Sequence, residues 1–144
     1  VLIRSLLGAL VAGLEAGTTY TDWPFMDGDM LPTGLFAQVP AVSNLFENHL
    51  TVQFNHRLIA YVLTAVVIWH VVRLMRSQAP ASARLTAFLL VGAILGQGLL
   101  GIVTLINAVP LPLGAAHQLG AVLVLGLAIT HLHFMRYPSA VSAR

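Results

Sequence analysis

Two histidines at matching points of an internal repeat are the residues of this chain best placed to do chemistry. His56 opens the run His56-Arg57-Leu58-Ile59-Ala60, and His117 opens His117-Gln118-Leu119-Gly120-Ala121. Each is followed 14 positions later by a further histidine, His70 and His131. On a helix, residues three and four apart share a face. Ala60, Leu63, Val67 and His70 therefore continue the face of His56, and Ala121, Val124, Ala128 and His131 continue that of His117. An alanine one turn beyond each leading histidine leaves room beside the ring for a flat macrocycle. A neutral imidazole is a common metal ligand, and two of them offered at one depth have the layout of a bis-histidine haem clamp. The plainer alternative is a polar residue at a helix start bonded to loop backbone. An ionisable group inside a membrane segment nevertheless stands by default as a functional candidate.

His70 and His131 lie about 21 Å further along their helices, on nearly the same face. They offer either a second haem site or a pair of interfacial residues beside Trp69 and His133. His49 and His133 read as solvated or interfacial.

The elements that position these rings must be apolar helices. Of 144 residues, 58% are hydrophobic and 8% charged, with no cysteine. A soluble domain carries about 25% charged residues, so most of this chain faces lipid or a dry core, in line with a mean hydropathy of +0.86. Without cysteine, disulfides, thiolate metal sites, iron–sulfur clusters and c-type haem attachment are excluded within the chain. The basic charge is all arginine, set at segment ends rather than in a stripe, so nucleic acid is not an expected partner.

Four apolar stretches are candidate spans: roughly Leu2 to Ala16, Phe54 to Leu74, Leu85 to Ile106, and Leu113 to Phe134. A span needs about 20 residues; the first is short, and the chain starts at Val1 inside it, which reads as a fragment or a processed product. Arg4, Arg73, Arg76, Arg84, Arg136 and Arg144 fall on one side of a four-span chain, and Glu15, Asp22, Asp27, Asp29 and Glu47 on the other. The positive-inside rule makes the arginine side cytoplasmic, or the matrix side in a mitochondrion. Trp69 and Tyr137 fit an inner aromatic belt, Tyr20 and Trp23 an outer one. Ala41 to Leu50 reads as a short interfacial helix.

Spans two and four align without gaps from His56/His117 to His70/His131. Spans one and three align more weakly, with Gly8 against Gly96 and Gly13 against Gly101. The expected fold is all-α: an integral membrane four-helix bundle made of two pseudo-repeated hairpins, forming one domain over residues 1–144. Bundle cores hold cofactors between facing helices. The histidines would lie near the outer surface, where carboxylates of a cofactor could reach water or Arg57. Gly13-x-x-x-Gly17 and Gly92-x-x-x-Gly96 suggest close helix approach. Gln53 and Gln97 could support a histidine or bond to neighbouring helices. Among the acids, Glu47 is the best placed for a local role, and Asp22, Asp27 and Asp29 read as solvated loop charges.

The runs Ala12-Gly13-Leu14-Glu15-Ala16-Gly17, Tyr20-Thr21-Asp22-Trp23-Pro24-Phe25-Met26-Asp27-Gly28 and Asn44-Leu45-Phe46-Glu47-Asn48 resemble the heme A synthase family of alphaproteobacteria and mitochondria. So do Thr51-Val52-Gln53-Phe54-Asn55-His56-Arg57, the stretch from Gly98 to Leu105, and Ala116-His117-Gln118. The family departs here only locally, with Thr21-Asp22 where Asn-Thr is commoner. The family has two four-helix halves, and the chain is similar to the C-terminal one. That resemblance implies a b-type haem with iron held by His56 and His117, in an oxidoreductase that converts haem O to haem A for cytochrome oxidase biogenesis. It also implies that oxidation belongs to the other half, which uses a carboxylate where this chain has Gln53; no catalytic residue is assigned here. Implied partners are membrane lipid, haem, the N-terminal half, haem O synthase and an electron donor. The implied location is a bacterial inner membrane with both termini cytoplasmic, or less readily the mitochondrial inner membrane.

Two other functions compete. A stand-alone b-type cytochrome would carry electrons across the membrane with two bis-histidine haems. A structural or assembly factor would bury the histidines for packing alone. A transporter fits less well, because nothing acidic lies mid-membrane to relay ions.

Overall fold

A computed structural model describes residues 1–137; Arg144, used above for orientation, lies outside them. Four α-helices follow in order: α1 (Leu2–Gly13), α2 (His49–Met75), α3 (Ala81–Ile106) and α4 (Leu111–Arg136). Short 3-10 turns occupy Ala16–Thr18 and Ala41–Leu45. No strand occurs among the described residues beyond one isolated bridge between Met26 and Asp29. The fold is the all-α, membrane-like bundle expected.

Among the described residues three helices are long and apolar enough to cross a membrane. At 1.5 Å per residue they reach about 40 Å, beyond a hydrocarbon core of about 30 Å. α1 has 12 residues, or about 18 Å, less than a crossing requires.

Local chemistry sets the helix ends. α2 begins at His49, five residues before the apolar run, because the Asn48 side chain caps it by accepting from the N–H groups of Leu50 at 3.0 Å and Thr51 at 3.3 Å. Such a cap satisfies amides that the first turn leaves free. Pro80 and Pro110 stand just before α3 and α4, where proline ends the incoming extended chain at no cost in helix hydrogen bonds. The expected interfacial helix over Ala41 to Leu50 is instead a 3-10 turn, a break at Phe46 to Asn48, and the start of α2.

The helices pack as two hairpins, α1 with α2 and α3 with α4, joined across α2 and α3. A buried cluster of Val67, Val71, Leu74, Ala87, Leu90, Ile94 and Val124 fills the half of the bundle that holds the α2–α3 connection. Outward residues such as Leu119, Leu123 and Ile129 are exposed, as lipid-facing residues are. Burial in the loop from Leu14 to Asn48 is unexpected. Asn44 is fully buried; its side chain accepts from Gln38 N–H at 2.9 Å and donates to the carbonyls of Gln38 and Ala41 at 2.8 and 3.0 Å. Asn48 donates in turn to Asn44 Oδ1 at 3.0 Å. The loop is thereby tied to the first turn of α2.

Candidate functional site

His56 and His117 line one cavity of about 610 Å³ between the two hairpins. That volume lies within the range of small-molecule and cofactor sites. The wall is mostly apolar, and the repeat brings one imidazole to it from α2 and one from α4.

Each ring lies against a glycine of its own hairpin. A Cβ at Gly8 would come within 3.1 Å of His56 Cε1, and one at Gly101 within 2.7 Å of His117 Cε1. The helix preceding each histidine therefore needs a hydrogen at that point. The contact pairs Gly8 with Gly101, so the register read from sequence, Gly8 against Gly96, is corrected by five residues. The correction extends to the glycine pairs expected to draw helices together. Nothing lies within 4 Å of a Cβ built at Gly13, Gly92, Gly96 or Gly98. Gly17 does make a close contact, with Val109.

Polar support differs between the two rings. Gln97, buried on α3, donates through Nε2 to the His117 carbonyl at 2.6 Å and lies 3.2 Å from His117 Nδ1. Gly120 makes this possible, because a Cβ there would run into Gln97 Oε1. His56 Nδ1, by contrast, is buried without a hydrogen-bond partner.

Arg57 and Gln53 hold the outer loop against α2. Arg57 donates to the carbonyls of Asp22 at 3.0 Å, Phe25 at 2.9 Å and Tyr20 at 3.0 Å. Gln53 Nε2 donates to Tyr20 O at 2.8 Å. A cofactor carboxylate was expected to reach water or Arg57; the terminal nitrogens of Arg57 are bonded to backbone, and its Nε alone is without a partner. The Asp22 carboxyl accepts from Gly28 N–H at 3.2 Å. Desolvation pushes its pKa up, but the N–H groups of Gly28, Asp27 and Asp22 itself, with the Arg57 charge, outweigh this and hold it below the ordinary value. Glu47, His49 and His133 are exposed, and His133 packs on Phe134 and Tyr137.

The second histidine pair is arranged differently. His70 Nε2 and His131 Nε2 are 2.9 Å apart, with ring planes at 75°. Thr86 Oγ1 lies 2.9 Å from His131 Nδ1 and donates to the Ser82 or Ala83 carbonyl. With its proton so used, the hydroxyl accepts from His131 Nδ1–H, which leaves the His131 Nε2 lone pair facing His70. His70 must then donate from Nε2. Two rings bonded directly leave no gap for an iron and its macrocycle, so this arrangement does not support a second haem site.

Sequence reading missed Thr86, because its partner lies 45 residues away. It also missed that Arg4, counted there only with the segment-end arginines, lines the cavity one turn from Gly8. A four-residue step from glycine to arginine was the available signal.

No group of three or more histidines, cysteines or acids is placed to hold a metal ion among the described residues. A pair of imidazoles on one cavity wall suits a metal centre whose remaining ligands come with a cofactor.

The family model described as "Cytochrome oxidase assembly protein" matches residues 1–129. A protein of Sinorhizobium medicae named "Heme A synthase" is 49% identical over 130 residues, covering 90% of this chain and 35% of its own length. Proteins with the same name from Parvibaculum lavamentivorans (46% identical, 92% of this chain, 38% of its own length) and Chelativorans sp. (45%, 96% and 39%) are similar too. The chain thus spans little more than a third of these curated relatives. No solved structure matches it.

Proposed function

The chain belongs to the cytochrome oxidase assembly protein family, and from that membership we propose that it is the haem-holding, C-terminal part of a heme A synthase. His56 and His117 would hold the iron of one b-type haem. The observation that carries this reading is that both repeat-matched imidazoles line a single 610 Å³ cavity, each cleared by a glycine that a Cβ would fill. A haem bound there supplies a one-electron redox centre.

The protein's own residues bind and orient. Gly8 and Gly101 let the helices before the histidines close on the rings. Gln97 fixes the backbone and ring of His117. A ring that ligated through Nε2 would carry its proton on Nδ1, beside the Gln97 side-chain amide, which would supply an acceptor oxygen for it. Arg57 and Gln53 hold the loop at the cavity mouth and limit water entry. Gln53 cannot act as an acid or base, so oxidation of haem O to haem A belongs to a part of the enzyme beyond these residues. The partners of this reading are that N-terminal part, haem O as substrate, haem O synthase and an electron donor.

The same reading puts the chain in a bacterial inner membrane. Arg73, Arg76 and Arg84 flank the α2–α3 connection and Arg136 ends α4, while the acids lie in or beside the outer loop. That asymmetry orients the arginine end toward the cytoplasm. Reduced-minus-oxidised spectra of purified variants test the ligand assignment. His56→Ala and His117→Ala are each expected to lose the b-type spectrum. A normal spectrum in either would overturn the assignment.

A further inference from the structure

Arg4 lines the cavity that holds His56 and His117, and also a small void of about 20 Å³ beneath it, beside Thr64, Gln97 and Ser5. Its neighbours Ala60 and Thr64 lie near the middle of the 27-residue α2, so the guanidinium sits deep in the bundle. It is partly buried there, and among the described residues no carboxylate offsets its charge. Among the described residues Glu15 is the one acid that shares the cavity lining, and it lies beyond the opposite end of α1. A cation inside a membrane bundle is costly and marks a site with an expected partner.

The repeat sharpens the point. With Gly8 and Gly101 in register, Arg4 occupies the position that Gln97 holds in the second hairpin, four residues before the glycine. Gln97 is spent on His117. Arg4 cannot do the same for the Nδ1–H of a ligating His56, because guanidinium has no acceptor atom. The other arginine on the cavity wall, Arg57, has its terminal nitrogens committed to loop carbonyls, with only Nε left over.

We infer that Arg4 is a ligand-binding residue that pairs with a carboxylate of the molecule held between His56 and His117. This rests on the haem reading, in which the carboxylate is one of the haem's own side chains. A planar guanidinium suits a carboxylate, which it can meet with two parallel hydrogen bonds.

The test compares haem b with its dimethyl ester, which keeps the iron and ring but has no carboxylate. Both are titrated into the purified full chain and into Arg4→Gln, followed by the visible spectrum. Glutamine is chosen because the equivalent position already accommodates it. The wild type is expected to prefer haem over the ester, and Arg4→Gln to lose about tenfold in haem affinity while binding the ester unchanged. An equal loss for both ligands, or a full preference kept by Arg4→Gln, would overturn the inference and leave the haem reading standing. A folded wild type that binds neither ligand would overturn the haem reading and this inference with it. Displacement of haem by phospholipid in the wild type but not in Arg4→Gln would assign Arg4 to a lipid phosphate instead, against the inference.

Discussion

His70 Nε2 lies 2.9 Å from His131 Nε2, a ring-to-ring hydrogen bond that clasps α2 to α4 one bundle-half away from His56 and His117. Thr86 fixes the His131 ring from the other side. Two histidine pairs with the same spacing along the chain therefore do different work. One faces a cavity and the other closes on itself.

Removing one partner of the clasp should destabilise the bundle without touching the haem site. His70→Ala and His131→Ala are each expected to keep a normal b-type spectrum and to lose about 0.5 to 2 kcal/mol, the range for hydrogen bonds between membrane helices. A double-mutant cycle in a denaturing detergent titration checks this. Additive losses would show that the rings are not coupled.

The glycines behind the ligand rings should differ in tolerance. Gly101→Ala puts a Cβ 2.7 Å from His117, and Gly8→Ala one 3.1 Å from His56. Haem per polypeptide should fall in both, because the neighbour is the ligand ring itself, and further in Gly101→Ala, where the contact is closer. Gly92→Ala and Gly96→Ala meet nothing within 4 Å and should load normally. A Gly101→Ala protein with full haem content would count against this.

Gln97→Leu removes the amide that bonds the His117 carbonyl and ring. Outer partners of a metal-bound histidine are worth roughly ten- to a hundredfold in affinity. Haem titration should show a loss of that size, while His56, which lacks such a partner, keeps its role. Unchanged affinity would show that packing alone orients His117.

The loop carries a pH dependence through Asp22. Its carboxyl pKa is held below the ordinary value of 3.8. The folded loop therefore gains from the charged form at every pH above that value and loses the gain as pH falls through the lower folded value. Amide exchange around Gly28 should quicken, relative to the intrinsic rate, between about pH 5 and pH 2 in the wild type. Asp22→Asn should show little change over the same interval. Identical profiles would remove Asp22 from the loop's support.

Much of the site could be read from the sequence, for stated reasons. His56 and His117 stood out because spans two and four repeat without gaps and because histidine is rare in an apolar run. The glycine register did not, since spans one and three share little beyond small residues, and only contact with the rings shows that Gly8 matches Gly101. The place of Arg4 on the cavity wall was not legible, because the glycine register that relates it to Gln97 was not. The hold of Arg57 on the loop was not legible, because the three carbonyls that its terminal nitrogens meet lie up to 37 residues away in sequence. The helix ends ran past the apolar stretches for a legible cause: Asn48 and the two prolines were visible as boundary residues.

The haem content of the purified full chain in mild detergent tests the account most directly, measured as haem per polypeptide with a reduced-minus-oxidised spectrum. The account predicts one b-type haem. Two haems would contradict it by requiring His70 and His131 to part, and none in a folded helical protein would contradict the haem-holding role altogether.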